Sequence, residues 1–174
     1  MQIDPRADQL VAAWYRADAP RLLAYLTHRT DNETAQDVLQ DTFALAYRKW
    51  EDVPDPATGW LFGAARRLLA NQRRGARRRD ALLQRLAETR LAGPGYVDDR
   101  PSDLIELLSQ LSARDREVLT LSAWYDLSTE QAAQALGCSP QTYKVRLHRA
   151  RRRLADTLAA ADRHHASFLS EVLS

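Results

Sequence analysis

Few residue types that mark chemistry are present in quantity in this chain. Among 174 residues there is one cysteine, Cys138, so no disulfide can form within the chain, and a small buried side chain is its commonest role. Lysine is almost missing: Lys49 and Lys144 are the only two among 25 basic residues, and the rest are arginine. A GC-rich genome is enough to produce that bias, so nothing is drawn from it. No glycine-rich stretch of the kind that cradles phosphates occurs. Nor does any grouping of His, Cys, Asp and Glu at metal-ligand spacing, or any Ser/His/Asp or Cys/His set that helical periodicity would bring together. These absences argue against an enzyme, and no cofactor, metal or small-molecule substrate is expected. No apolar run approaches the roughly 18 residues of a membrane span, and charged Asp4, Arg6 and Asp8 stand where a signal peptide would turn apolar. A soluble, cytoplasmic protein without membrane insertion is expected. No segment alternates with period two over a useful length, so no sheet is expected.

What is present is helical and charge-segregated. Net charge is only +2, yet residues 31–55 hold seven acids against Arg48 and Lys49, while residues 66–79 hold seven arginines and no acid. Leu10, Val11, Trp14 and Tyr15 make one amphipathic stripe, and Leu22, Leu23, Tyr25 and Leu26 continue it beyond Pro20. Asp31 or Asn32 then caps a helix with Ala35, Val38, Leu39, Thr42, Phe43, Ala46 and Trp50 inward. Asp37, Gln40 and Asp41 share its outward polar patch. Prolines 54 and 56 end that run. Trp60–Arg74 forms the next helix, with Trp60, Leu61, Ala64, Ala65 and Leu68 inward and Arg66, Arg67, Asn71, Arg73 and Arg74 outward. The remaining run to Arg79 is its frayed end or a tether. Periodicity stops around Gly93, Pro94, Gly95 and the Asp98–Pro101 cluster, as in a linker. Leu104, Leu107, Leu108 and Leu111 then predict a short helix. Ser112 caps another, with Val118, Leu119, Leu121, Ser122 and Trp124 inward.

The most specific local signal is at residues 128–154. Ser128 and Gln131 have the spacing of a capping box, so a helix is expected from Thr129 to about Leu136. Gly137 can enter the left-handed conformation that ends it, Ser139 caps a second helix and Pro140 occupies its first position. Helix, tight turn and helix make a helix-turn-helix. On the second helix Tyr143, Leu147, Ala150 and Leu154 face inward. Gln141, Lys144, Val145, His148, Arg149 and Arg152 lie opposite, with Ser139, Thr142 and Arg146 beside them. Lys144–Arg153 contains six basic residues and no acid, the composition of a helix that lies in a DNA major groove. A merely solvated basic face would read the same by periodicity. A solvated helix, however, needs no capped partner across a glycine turn.

Residues 111–154, LSARDREVLTLSAWYDLSTEQAAQALGCSPQTYKVRLHRARRRL, resemble the C-terminal DNA-binding region of the extracytoplasmic-function (group 4) sigma factors. DVLQDTF at 37–43 and WLFGAAR from Trp60 are similar to the N-terminal conserved region of the same family, in the same order. The resemblance implies an all-α chain of two small helical domains joined by a flexible linker, the C-terminal one a helix-turn-helix. The corresponding boundaries are 1–88 for a domain that binds core polymerase and the minus-ten element, 89–103 for the linker, 104–160 for a domain that reads the minus-thirty-five element, and 161–174 for a tail. It also implies RNA polymerase core and promoter DNA as partners and makes an anti-sigma factor plausible. Asp37, Gln40 and Asp41 then match the polymerase-docking face. Pro54, Asp55, Thr58, Arg66, Arg67, Asn71, Arg73 and Arg74 match the minus-ten reader. The helix from Ser139 then reads the minus-thirty-five element, with Ser139, Gln141, Val145 and His148 expected at base edges and Lys144, Arg146 and Arg149 to Arg153 on phosphates. The chain departs from the family at Arg67, where asparagine is common, at Tyr143, where valine is usual, and at Val145, where serine is usual. The alternative is a free-standing helix-turn-helix regulator with an N-terminal sensory or dimerising domain, although a second basic helix at 66–79 has no place in it. In the tail, His164 and His165 are adjacent and project in different directions, so no metal pair is expected. The tail either extends the last helix or offers an apolar strip to a regulator.

Overall fold

Among the described residues, five of the six α-helices begin on a short polar side chain that accepts from the helix's own first turn, which is why their starts fall where they do. The computed structural model describes residues 4–86 and 110–172, with the backbone alone over 76–86 and 161–172. The helices are α1 (Pro5–Thr27), α2 (Asn32–Arg48), α3 (Thr58–Leu86), α4 (Ala113–Ala123), α5 (Thr129–Leu136) and α6 (Pro140–Val172). A 3-10 turn lies at Trp50–Asp52, and no strand occurs among the described residues. The chain divides into two units, as an all-α, two-domain reading requires. Residues 89–103, the expected linker, and Leu104, Leu107 and Leu108 of the expected short helix lie outside the described residues.

In the N-terminal unit, Asp31 accepts the Thr34 amide at 2.8 Å and starts α2. That bond holds the Asp31 carboxyl below its ordinary value. Ala35, Val38, Leu39, Thr42, Phe43 and Ala46 are buried along α2, the expected stripe, and Trp50 is half-buried. The Thr42 hydroxyl, fully buried, donates to the Val38 carbonyl at 2.6 Å, so its polar group is not left unpaired. Aromatic edges join the helices: Tyr15 meets Phe43 with centroids 4.9 Å apart, and Tyr25 meets Phe62 at 5.2 Å.

Two expectations for this unit are corrected. The packed line of α1 is Ala7, Asp18, Ala19, Leu22, Tyr25 and Leu26, while Leu10 and Tyr15 are 40% and 50% exposed. α1 packs through the small or polar Ala7, Asp18 and Ala19 and then through Leu22, Tyr25 and Leu26, and Leu10 and Tyr15 lie outside that line. α1 also passes unbroken through Pro20, which lies on the exposed side where water can replace the missing N–H. Likewise α3 does not end near Arg74 but continues through Gly75 to Leu86.

In the C-terminal unit, Leu111, Leu119 and Ala150 form a core on which Leu147 and Leu154 pack, with Val118, Leu121, Tyr125, Leu127 and Tyr143 also buried. Trp124, expected inward, is 48% exposed. It caps the end of α4, where the chain leaves helical register, and Tyr125 and Leu127 take the inward places instead. Asp126 turns the chain with a φ of 47°, and the Leu127 amide reaches back to the Leu121 carbonyl at 3.2 Å.

Candidate nucleic-acid interface

The turn chemistry of residues 128–143 is realised bond for bond. The Gln131 amide donates to the Ser128 hydroxyl at 3.2 Å and the Ser128 amide donates to the Gln131 side-chain carbonyl at 2.9 Å, the two halves of a capping box. Gly137 has a φ of +64°, which a side chain would strain, and the Cys138 amide donates to the Ala133 carbonyl at 2.9 Å. Ser139 then accepts the Thr142 amide at 3.1 Å and shares a 2.8 Å hydroxyl contact with Thr142, leaving α6 to start at Pro140. Both polar side chains at the turn are therefore occupied in forming it.

α6 is fixed from beneath at two places. Tyr143, 1% exposed, donates its hydroxyl to the Val118 carbonyl of α4 at 3.1 Å, so the core encloses the ring and pairs its polar end. Three turns on, Arg153 donates to Asp115 at 2.7 Å, and Asp115 also accepts from the Ser112 hydroxyl at 2.8 Å. Burial pushes the Asp115 carboxyl up, but the Ser112 hydroxyl and the Arg153 guanidinium outweigh it and hold the group below its ordinary value. Arg153 is thereby committed to the fold.

The opposite face is open. Gln141, Thr142, Lys144, Val145, Arg146, His148, Arg149 and Arg152 are all exposed, and Val145 is 42% exposed as an apolar point among cations. One acid approaches this end: Glu130, held below its ordinary value by its own backbone N–H, then by the Ser128 hydroxyl, and in smaller part by the charge of Lys144.

In the N-terminal unit the structure sorts the expected minus-ten residues. Pro54 and Asp55 are exposed at a loop tip, and Arg66, Arg67, Asn71, Arg73 and Arg74 are exposed along α3. Thr58 is not at the surface: it is 8% exposed and its hydroxyl donates to Asp18, itself buried, at 3.2 Å. Arg73 donates to the Arg29 carbonyl just past the end of α1, and Arg74 donates to the Asn71 side-chain carbonyl. Arg29 stacks over the Tyr25 ring at 3.8 Å, so cations line the place where α1 ends beside α3. Asp37, Gln40 and Asp41 are exposed together on α2. Sequence reasoning did not find Asp18 or Arg29, because no local pattern distinguishes them.

Two separate regions of the chain match family models: residues 14–79 match sigma-70 region 2 and residues 102–154 match sigma-70, region 4. The SigL extracytoplasmic-function RNA polymerase sigma factor of Mycobacterium tuberculosis is 35% identical over 157 residues, covering 86% of this chain and 89% of the relative. The chain belongs to the extracytoplasmic-function sigma factors. The RNA polymerase sigma-E factor of Streptomyces coelicolor is 32% identical over 136 residues, covering 76% of each chain. Among solved structures, the sigma factor RpoE of Bartonella quintana, in complex with the anti-sigma factor NepR, superposes with a TM-score of 0.52 at 29% identity over 87% of this chain and 93% of the other. This sigma factor directs promoter-specific transcription by RNA polymerase. The free-standing regulator is not favoured, since region 2 occupies the place of its sensory domain. No described helix of this sigma factor is long and apolar enough to cross a membrane.

Proposed function

We propose that this group 4 sigma factor grips promoters at two points, with the division of labour carried by the residues described above. The N-terminal unit, 1–88, docks on core polymerase through Asp37, Gln40 and Asp41. It tracks the opened non-template strand of the minus-ten element with the Pro54–Asp55 tip and the α3 cations, as a positive groove with a base pocket requires. The C-terminal unit, 104–160, lays α6 in the major groove of the minus-thirty-five element. Gln141, Val145 and His148 reach base edges while Lys144, Arg146, Arg149 and Arg152 hold phosphates. Ser139 and Thr142 contribute by fixing the start of that helix.

The observation that carries this reading is the two-sidedness of α6. One face is locked by Tyr143 to Val118 and Arg153 to Asp115, and the other presents Gln141 to Arg152 to solvent. The protein acts without catalysing a reaction itself, in the cytoplasm. Because the Bartonella quintana relative is held by an anti-sigma factor, a regulator that covers the DNA-binding surfaces fits this chain as well.

Run-off transcription with purified core polymerase on a promoter library tests the reading. Start-site-specific transcripts should form only when the protein is added. Tight duplex binding by the protein alone, with no such transcripts, would favour the free-standing regulator.

A further inference from the structure

Three exposed residues, Pro54, Asp55 and Pro56, make the tip of the loop between α2 and α3, and buried residues pin it on both sides: Val53 before, Ala57 and Thr58 after. The polar tie at this place is the 3.2 Å bond from the Thr58 hydroxyl to the carboxylate of Asp18, which lies on α1 forty positions earlier. Asp18 is 4% exposed and sits in the packed line of α1 with Ala7, Ala19, Leu22 and Tyr25. A carboxylate there is expensive, since an apolar side chain of the same size would suit that line without loss of hydration. It does have a favourable electrostatic setting, because Thr58 opens α3 and the first turn of a helix offers unpaired N–H groups and positive potential to an anion.

We propose that Asp18 is a positioning residue for minus-ten recognition and that Thr58 acts through it rather than by touching DNA. The inference rests on the minus-ten reading above. The exposed tip and the first α3 arginines, Arg66 and Arg67, lie on either side of Thr58. About 12 Å of helix separates Thr58 from Arg66. Fixing the first turn of α3 to α1 therefore sets the distance and angle between the residues at the base pocket and those along the strand. Apolar packing of Val53 and Ala57 tolerates sliding; a directional hydrogen bond to a buried charge does not.

The test uses holoenzyme assembled with full-length chain and a single-stranded oligonucleotide carrying the minus-ten non-template sequence of a promoter found by run-off transcription. Thr58→Val keeps the shape and removes the donor, Asp18→Leu removes the acceptor, and Asp18→Asn keeps an acceptor oxygen without the charge. Thr58→Val and Asp18→Leu are expected to weaken oligonucleotide binding about tenfold and to flatten discrimination among minus-ten base changes, with Asp18→Asn recovering most of both. Core binding and binding to minus-thirty-five duplex should stay within about twofold. Wild-type affinity and discrimination in Thr58→Val would overturn the role of Asp18, even if Asp18→Leu fails to fold. An equal loss of core binding would also overturn it, by making the bond merely structural. If Arg67→Ala likewise binds as wild type, the minus-ten reading fails too; if only Thr58→Val does, that reading stands and the Asp18 proposal alone falls.

Discussion

The Tyr143 hydroxyl donates to the Val118 carbonyl at 3.1 Å, so the helix that carries the exposed basic face is bonded to the helix beneath it through a fully buried phenol. Burial pushes the Tyr143 phenol above its ordinary value, which keeps the proton, and hence the donor, in place through neutral pH. Tyr143→Phe should destabilise the protein by about 1 kcal/mol, the net worth of one such bond. Tyr143→Val should cost more, about 2–4 kcal/mol, because the core has been built around the ring. Urea unfolding reads both; a larger loss from Phe than from Val would contradict this ordering.

The Asp115–Arg153 pair makes stability depend on acid in a stated direction. The folded pKa of Asp115 is depressed, so its contribution is fully present above the ordinary aspartate range and is lost as pH falls through the lower folded value. Arg153 is 60% exposed, so solvent screens the pair and Asp115→Asn should cost about 1 kcal/mol at neutral pH. The difference between wild type and variant should shrink as pH falls below the ordinary aspartate value. A difference that stays constant from pH 7 to pH 3 would assign the stabilisation to something other than this carboxylate.

How far the molecule was legible from sequence follows the distance over which each feature is determined. Ser128, Gln131, Gly137, Ser139 and Pro140 act within a few residues of themselves, and the turn they predict is the turn observed. The α2 stripe was legible for the same reason, since one helix face meets one core. Trp124 was not, because the helix ends at it and periodicity no longer applies. The pairs that decide which polar groups are free were hidden altogether. Arg153–Asp115, Thr58–Asp18 and Arg73–Arg29 join positions 38, 40 and 44 residues apart, and composition carries no trace of them. Thr58 and Arg153 looked outward because only tertiary packing turns them to other work.

On the open face of α6, one apolar and one charged residue should fail differently. Val145 is expected to meet an apolar base edge such as a thymine methyl, so Val145→Ser should alter preference at one position of the minus-thirty-five element. Arg149→Ala should lower affinity across all sequences and reduce the salt slope by about 0.9, one phosphate contact. Duplex binding across single-base variants at several salt concentrations separates the two patterns. Unchanged preference in Val145→Ser would remove the methyl contact from the account.

Asp37 and Asp41 stand one turn apart on exposed α2, with Gln40 between them and the buried stripe behind. Reversing both charges with lysine should weaken core polymerase binding by tenfold or more while leaving binding to minus-thirty-five duplex unchanged. An equal loss of both would mean that the substitutions unfold the chain or that α2 does not face polymerase.

Arg67 and Arg73 lie on the same exposed helix, but only Arg73 is seen donating to a backbone carbonyl, that of Arg29. That carbonyl follows the end of α1, where unpaired acceptors collect and a guanidinium is favourable. Arg73→Ala should therefore lower unfolding stability by about 1 kcal/mol and, if the proposed minus-ten role holds, weaken strand binding together with it. Arg67→Ala, with no such bond to lose, should weaken strand binding while leaving the unfolding midpoint within experimental error. Arg73→Lys discriminates further. An ammonium can still donate to the carbonyl, but its three donors sit on one nitrogen and lack the separated planar set by which a guanidinium reaches a carbonyl on one edge and a phosphate on another, so it should restore stability more fully than strand affinity. Equal recovery of both by lysine would show that charge at position 73, and not the guanidinium's geometry, is what the site uses.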